Sequence, residues 1–349
     1  MKNIKLRNWL IIIASIVLVF IFSACEPSPV SETIVPVETN TESAPEIETE
    51  IPPTLTPSQS VQKVILISDQ DVDEITLLQV KTSLETLTAE AGYELVLQDE
   101  ASLEAMADVL LVVSIGEDID VNNLAQRYPE VSFVAVDNGN AVPSVNVHVI
   151  GDPIVDERNR AFMAGYLAAL ISEDYKVAVL VPSEVGATEI VLESFVIGAR
   201  FFCGLCLPKY PPYQTFPQWQ TLSVENLEEQ YQPILDNFEN SGVEVLYVQG
   251  DLAASLVMNA ASEYGMTILS DQSPEMELNN YAGTIIADPG HALSELLPEI
   301  LNGREGNRVP ASIILADRNP ALVSEGRYSM FLEMAENLQN GLVSAEAVP

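Results

Sequence analysis

The sequence predicts an α/β body of two doubly wound lobes with parallel sheets, preceded by an apolar leader and a polar, proline-rich stretch. Three observations carry this. From about residue 61 onward, short apolar runs of strand length alternate with longer amphipathic stretches, the pattern of βαβ units around buried parallel strands. The alternation restarts after "SVNVHVIG" (144–151). The body is near 290 residues long, more than one ordinary core holds and a suitable length for two lobes.

Element by element, "KVILIS" (63–68) is a buried strand, and "EITLLQVKTSLETLTAEAG" (74–92) an amphipathic helix closed by Gly92. The strand "YELVLQ", a short helix around "SLEAMA", the strand "DVLLVVSIG", the helix "NNLAQRYP" and the strand "VSFVAVD" complete the first series. The second begins with the helix "DERNRAFMAGYLAALIS", the strand "KVAVLVP" and a helix over 187–202. An irregular Pro and aromatic stretch is expected over 208–219. The helix "SVENLEEQYQPILDNFENSG", the strand "VEVLYVQG", the helix "LAASLVMNAASEYG" and the strand "MTILSD" follow.

At the amino end Lys2, Lys5 and Arg7 precede an uncharged run from Trp9 to Ala24, the order of a secretory signal. A spanning helix wants about 20 apolar residues with a polar flank; here Ser23 and Ala24 stand just before Cys25. "IFSAC" resembles the lipobox of bacterial lipoproteins. The resemblance implies that Cys25 is lipidated, that residues 1–24 are a signal peptide to be removed, and that the body is held by its lipid anchor on the extracytoplasmic face of the cell membrane. An uncleaved signal anchor is the alternative. Acyl chains hold through about 0.8 kcal/mol per buried methylene. Residues 26–60 contain no aromatic residue, lysine or arginine, a composition that cannot bury enough apolar surface to order itself. They read as a tether spanning about 30 Å as a flexible coil.

Loss of the leader moves the formal charge from −36 to −39. Nucleic acid and anionic membrane surfaces are therefore poor partners for the body, since both require Lys and Arg. Besides Cys25 only Cys203 and Cys206 remain, in "FFCGLC" at a helix end. A thioredoxin-type site opens a helix after a strand, so a structural disulfide is expected over a redox role. Two cysteines without nearby histidine, and two isolated histidines, make no metal site.

The block "YPEVSFVAVDNGNAVPSVNVHVIGDPIVDERNRAFMAGYLAALISEDYKVAVLVP" (128–182) resembles the central block of the basic membrane protein family, substrate-binding lipoproteins of the purine-nucleoside receptor type. "SFVIGAR", "VEVLYVQG", "ILSDQ" and the closing "LVSEGRYSMFLEMAENLQNGLVS" continue the resemblance in order. It implies a type I periplasmic-binding-protein fold, three hinge strands, and a small-molecule ligand clamped between two lobes for delivery to an ABC permease. The lobes are expected at 61–150 plus about 276–310, and at 151–275 plus about 311–349, in a monomer without cofactor. The first loop, "DVDEITLLQ", lacks the family's aromatic and asparagine; Val191 stands where a stacking phenylalanine is expected; "ADPGH" lacks a lysine; Leu269 replaces an aspartate. A nucleoside is thus only one option for the ligand.

Ligands of open α/β sheets bind beyond the carboxyl ends of the strands. Those ends carry "SDQDVD", "SIGED" with Gly116, "DNGN", "PSEVGA", "QGD" and "SDQS", acidic and amide groups that suit hydroxyls, amines and ring N–H donors and oppose phosphates. Asp137 is the leading ligand residue, with a turn-forming role as its rival. Asp69 and Asp71 either line the cleft or cap the next helix. Gly250 and Asp251 either present backbone N–H groups or form a plain cap, and Asp271 with Gln272 are placed alike. Gly165, Ala164 and Ala168 are expected to let a helix approach the sheet closely. The aromatics of "KYPPYQTFPQW" belong to the surface or to the cleft, the surface being favoured. A ligand sensor that signals to a membrane receptor is the alternative function. An enzyme is not expected, because neither a Gly-x-Ser-x-Gly elbow nor a metal-spaced histidine pair is present.

Overall fold

The computed structural model describes residues 61–69, 72–98, 106, 108–183 and 188–346. The leader, Cys25, the proposed tether, Asp71 and most of the expected helix at 102–107 lie outside the described residues. Ser58–Pro349 is a compact unit, and it contains every buried cluster named below.

The first lobe runs β1 (Lys63–Ser68), α1 (Glu74–Ala91), β2 (Glu94–Gln98), β3 (Val109–Ile115), α2 (Val121–Arg127), β4 (Ser132–Val136) and β5 (Val147–Ile150). The second runs α3 (Pro153–Ile171), β6 (Val177–Pro182), α4 (Thr188–Phe202), β7 (Gln218–Leu222), α5 (Leu227–Asn240), β8 (Val245–Val248), α6 (Ser255–Glu263), β9 (Thr267–Ser270) and β10 (Tyr281–Asp288). α7 (Pro289–Leu301), β11 (Arg308–Val309), β12 (Ser312–Ala316) and α8 (Glu325–Gln339) complete the chain. The sheet orders, β11-β5-β4-β3-β1-β2 and β12-β10-β9-β8-β6-β7, repeat one plan. All pairings are parallel except that of β10 with β12. Central strands are buried on both faces, as in β6 where all six residues are buried, and this is why they read as unbroken apolar runs.

Each sheet separates two buried clusters. In the first lobe Val64, Leu66 and Val113 pack on α1 and α7, while Ile65, Val112 and Phe133 pack on α2. In the second, Val179 and Tyr247 pack on α3, α4 and α8, while Leu180 and Leu246 pack on α5 and α6. Aspartates begin the helices at the carboxyl ends of strands: Asp73 accepts from the Thr76 N–H at 2.9 Å, Asp120 from Asn123 at 3.0 Å and Asp288 from His291 at 2.9 Å. Asp152 does the same for α3, accepting from Ile154 and Val155. Each cap satisfies an orphan donor and meets the positive end of its helix.

Residues 276–310, assigned to the first lobe on sequence, divide. β10 lies in the second sheet between β9 and β12, and the crossing back to the first lobe comes at Asp288–Pro289, with Leu293 and Leu296 in the first-lobe core. Polar 271–280 hides this boundary, because a strand buried by either lobe has the same apolar signature. The stretch 208–219 also ends earlier than expected: Gln218 and Trp219 already belong to β7, an edge strand whose alternating polar residues mask it. Gly165 brings α3 close to α4 and not to the sheet. A Cβ on Gly165 would sit 2.0 Å from the Phe195 carbonyl oxygen, and one on Gly198 1.9 Å from that of Phe162, so only hydrogens fit at this crossing.

Gly198→Ala therefore forces the two helix backbones apart. Urea denaturation of residues 58–349 should show a loss of about 3 kcal/mol; an unchanged midpoint would mean that the helices do not meet there.

Candidate functional site

Strand order reverses between β1 and β3 in one lobe and between β6 and β8 in the other, the switch points at which open α/β sheets leave a crevice. A cavity lies at each. The first, of about 400 Å³, is bounded by the ends of β1, β3 and β4 through Asp69, Gly116 and Asp137, and by Asp73, Glu117 and Asp118. The second, of about 560 Å³, is bounded by Pro182, Gln249, Gly250 and Asp271 at strand ends and by Glu157 and Arg160 of α3. Both volumes suit a small ligand.

In the first lobe the strand ends are brought together by backbone geometry. Gly116 has φ +108°, and a Cβ there would lie 2.6 Å from Asp69 Cβ, so glycine lets β1 and β3 end side by side. Asn138 is buried and saturates the floor: its Nδ2 donates to the carbonyls of Gly116 (2.8 Å) and Ile119 (3.1 Å), and its Oδ1 accepts from Asn140 and Ala141. That clamp holds Asp137 at φ +50°, a left-handed conformation uncommon for a side-chain-bearing residue. The Asp137 carboxylate points at the crossing between lobes, with Oδ1 2.4 Å from where a Gly151 Cβ would stand. Among the described residues nothing donates a hydrogen bond to it. Burial, and then the charge of Asp73, push its pKa up.

The second-lobe wall is a connected set. Arg160 pairs with Glu157 and approaches Asp271 at 3.6 Å, and Gln249 donates to Glu157 from the adjoining strand end. Asp271 is almost fully enclosed and accepts from the Gly250 N–H at 2.8 Å. Burial raises the pKa of both Glu157 and Asp271 against the lowering effect of Arg160. The Arg160 Nε remains buried without a partner among the described residues.

The hinge joins these two walls. Asp156, in the first turn of α3, accepts from the N–H groups of Asp152 (2.8 Å) and Ala311 (2.9 Å), which lie on two different crossings. Arg308 donates to the carbonyls of Gly151 (3.1 Å) and Ala141 (2.7 Å). Burial lifts the Asp156 pKa to about 7 against the two backbone hydrogen bonds, with Asp137 and Asp152 adding to the rise.

Asp137, Asp69, Gly116, Gly250, Asp251 and Asp271 thus border the two cavities. Their roles differ from those expected. The cap of α1 is Asp73, so Asp69 at the end of β1 is no cap. Gly250 does not offer its N–H to a ligand, because Asp271 already accepts it. Gln272 is exposed and lines neither cavity; its carbonyl accepts from the Tyr281 hydroxyl at 3.1 Å. Glu157 and Arg160 went unrecognised because "DERNRAF" reads as an ordinary helix start, and Asn138 because "DNGN" reads as a turn. Cys203 and Cys206 are disulfide-bonded where α4 ends. Val191 and Phe195 are core residues, with Phe195 stacked on Tyr247 at 6.0 Å. No aromatic ring is among the described residues lining either cavity.

A larger cavity, about 600 Å³, lies behind the hinge between α7, β12 and α8. Its polar groups are engaged with one another: Glu299 with Arg304, and Glu295 with Ser312 (3.1 Å) and Gln339 (3.0 Å). None of its lining residues belongs to the carboxyl ends of β1, β3, β4, β6, β8 or β9. Among the described residues no cluster of three ligating side chains is arranged to hold a metal ion.

No protein-family model and no curated protein sequence matches this chain. Solved structures do. One, described as a transcriptional activator of the comK gene from Bacillus halodurans, matches with a TM-score of 0.52 at 15% identity over 80% of this chain and 98% of that one. An ABC transporter system solute-binding protein from Conexibacter woesei matches with a TM-score of 0.52 at 14% identity over 83% and 99%. The fold is the type I periplasmic-binding-protein fold.

Asp156 folds with a pKa above its ordinary 3.8, at about 7, so the native state keeps a proton that the unfolded chain releases between these values. Stability is fully present below pH 4 for this group and is lost as pH rises toward 7. Thermal melts of residues 58–349 should give a higher Tm at pH 5 than at pH 8, with a smaller difference in Asp156→Asn. A Tm that rises across this interval would contradict the assignment.

Proposed function

We propose that this chain is an extracytoplasmic solute-binding lipoprotein, anchored through Cys25, which closes its two lobes on a small, donor-rich solute and presents it to an ABC permease. The observation that carries the reading is the pairing of the two cavities at matching switch points on either side of the Gly151 crossing. Among the described residues the first-lobe wall supplies Asp69, Asp73, Glu117, Asp118 and Asp137 and no cation; the second supplies Glu157, Asp251 and Asp271, with Arg160 already engaged. Such walls accept hydrogen bonds and repel anions. Polyols, sugars and amines fit, and nucleotides do not. A nucleoside offers ribose hydroxyls and ring amino groups to the same acceptors, but the described lining has no ring on which its base stacks. The solved solute-binding protein shares the fold and supports the reading; the activator shares it too, so the weight rests on the site. The described lining residues include no serine, cysteine, lysine or histidine.

The test is a thermal-shift panel of sugars, polyols, amines, nucleosides and nucleotides on residues 58–349. A binder at 100 times its Kd adds about 2.7 kcal/mol and raises Tm, while nucleotides leave it unchanged. Asp137→Asn, which keeps a residue type tolerant of positive φ, should abolish that shift and leave the unliganded Tm equal or higher, since it removes an unpaired, half-buried charge. Stabilisation by nucleotides alone, or an Asp137→Asn protein that still shifts, would overturn the proposal.

A further inference from the structure

Acidic residues are spread through the chain at 51 in 349, yet residues 194–224 contain none, the longest such run in the sequence, while Arg200 and Lys209 lie inside it. The same run carries a concentration of exposed apolar side chains. Leu205 is 95% exposed, Leu207 70%, Tyr213 72% and Trp219 53%, with Phe201 and Tyr210 also exposed. Apolar side chains left in water in such number on one segment mark a contact surface.

The fold gathers them at one place. α4 leaves the cleft end of β6 and runs back, so its end, the disulfide-closed turn at Cys203 and Cys206 and the start of β7 meet at the amino end of the second sheet, the pole remote from the cleft. The segment is pinned there: Asp174, just before β6, accepts from the Lys209 and Tyr210 N–H groups, and Phe216 packs on Tyr175 at 6.2 Å. The nearby acidic groups are largely occupied. Asp174 is buried against Lys176 at 2.9 Å, and Glu244 accepts from Ser172 and from the Glu173 and Asp174 N–H groups. Glu173 is exposed, and Lys209 donates to its carbonyl.

We infer that this pole is a membrane-interface contact, at which Leu205, Leu207, Tyr210, Tyr213 and Trp219 enter the headgroup region of a lipid bilayer. Tyr, Trp and Lys pair an apolar body with a polar tip and settle at that depth, and leucine adds buried apolar area. The charge pattern favours lipid over a second copy of this chain. The chain's formal charge of −36 makes two bodies repel each other, and an anionic lipid surface repels the body too, whereas the acid-poor pole approaches a zwitterionic one without that penalty. This contact is separate from ligand binding and stands or falls apart from it.

Trp219 is the only tryptophan of residues 58–349, because the other is Trp9. Its fluorescence reports on the pole directly. Phosphatidylcholine vesicles should shift the Trp219 emission to the blue and carry the protein upward in flotation, less so when phosphatidylglycerol is added. The double variant Leu205→Glu with Tyr213→Glu changes only exposed side chains. Its partitioning should fall at least about tenfold with the wild-type Tm retained. An emission unmoved by vesicles, or equal partitioning of the double variant, overturns the inference. So does a vesicle-independent blue shift that grows with protein concentration together with dimers in sedimentation, which assigns the pole to a second copy.

Discussion

The carboxylate of Asp156 sits where the chain passes between lobes, and the relation of the two walls depends on it. Through two hydrogen bonds it fixes the backbone of the first crossing, at Asp152, and of the third, at Ala311. Arg308 adds a second clamp from the side of β11, gripping Gly151 and Ala141. The crossings are short and held by backbone groups, so a change in the angle between the lobes would leave the cores on either side intact. Had the crossings been packed through large apolar side chains, any closing motion would have disturbed a close-packed interior.

The same region concentrates unfavourable charge. Asp137, Asp152 and Asp156 lie around one glycine, and burial raises the pKa of both Asp137 and Asp156. Part of the negative surface is ordinary helix capping, as at Asp73, Asp120, Asp152 and Asp288. Asp137 is different. It caps nothing, holds a left-handed backbone and receives no hydrogen bond among the described residues. Such a group costs stability in the empty protein, and a donor supplied from outside removes that cost. The role given to Asp137 in binding rests on this difference between it and its capping neighbours.

The alternation of apolar runs with amphipathic stretches made both lobes legible in the sequence, because parallel strands buried on two faces are predominantly apolar. What the pattern conceals is which sheet a strand joins. β10 carries the same signature as a first-lobe strand, and only its pairing with β9 and β12 places it. Within the site, Asp137, Asp69 and Gly116 were readable as residues ending buried strands. Glu157 and Arg160 were not, since they reach the cavity from the side of α3, and no local pattern distinguishes a helix residue aimed at a cleft from one aimed at water. The roles of Gly250 and Asp271 were hidden for a related reason: each looks like a ligand donor or acceptor until the hydrogen bond between them is seen.

The central claim is that one ligand is held by both lobes at once. Hydrogen exchange on residues 58–349 with and without the compound giving the largest thermal shift tests it most directly. The account predicts that protection rises together at 114–118 in the first lobe, at 249–251 in the second and at the 151–156 crossing. Protection confined to one lobe, or appearing instead around Glu295 and Gln339 behind the hinge, would contradict it.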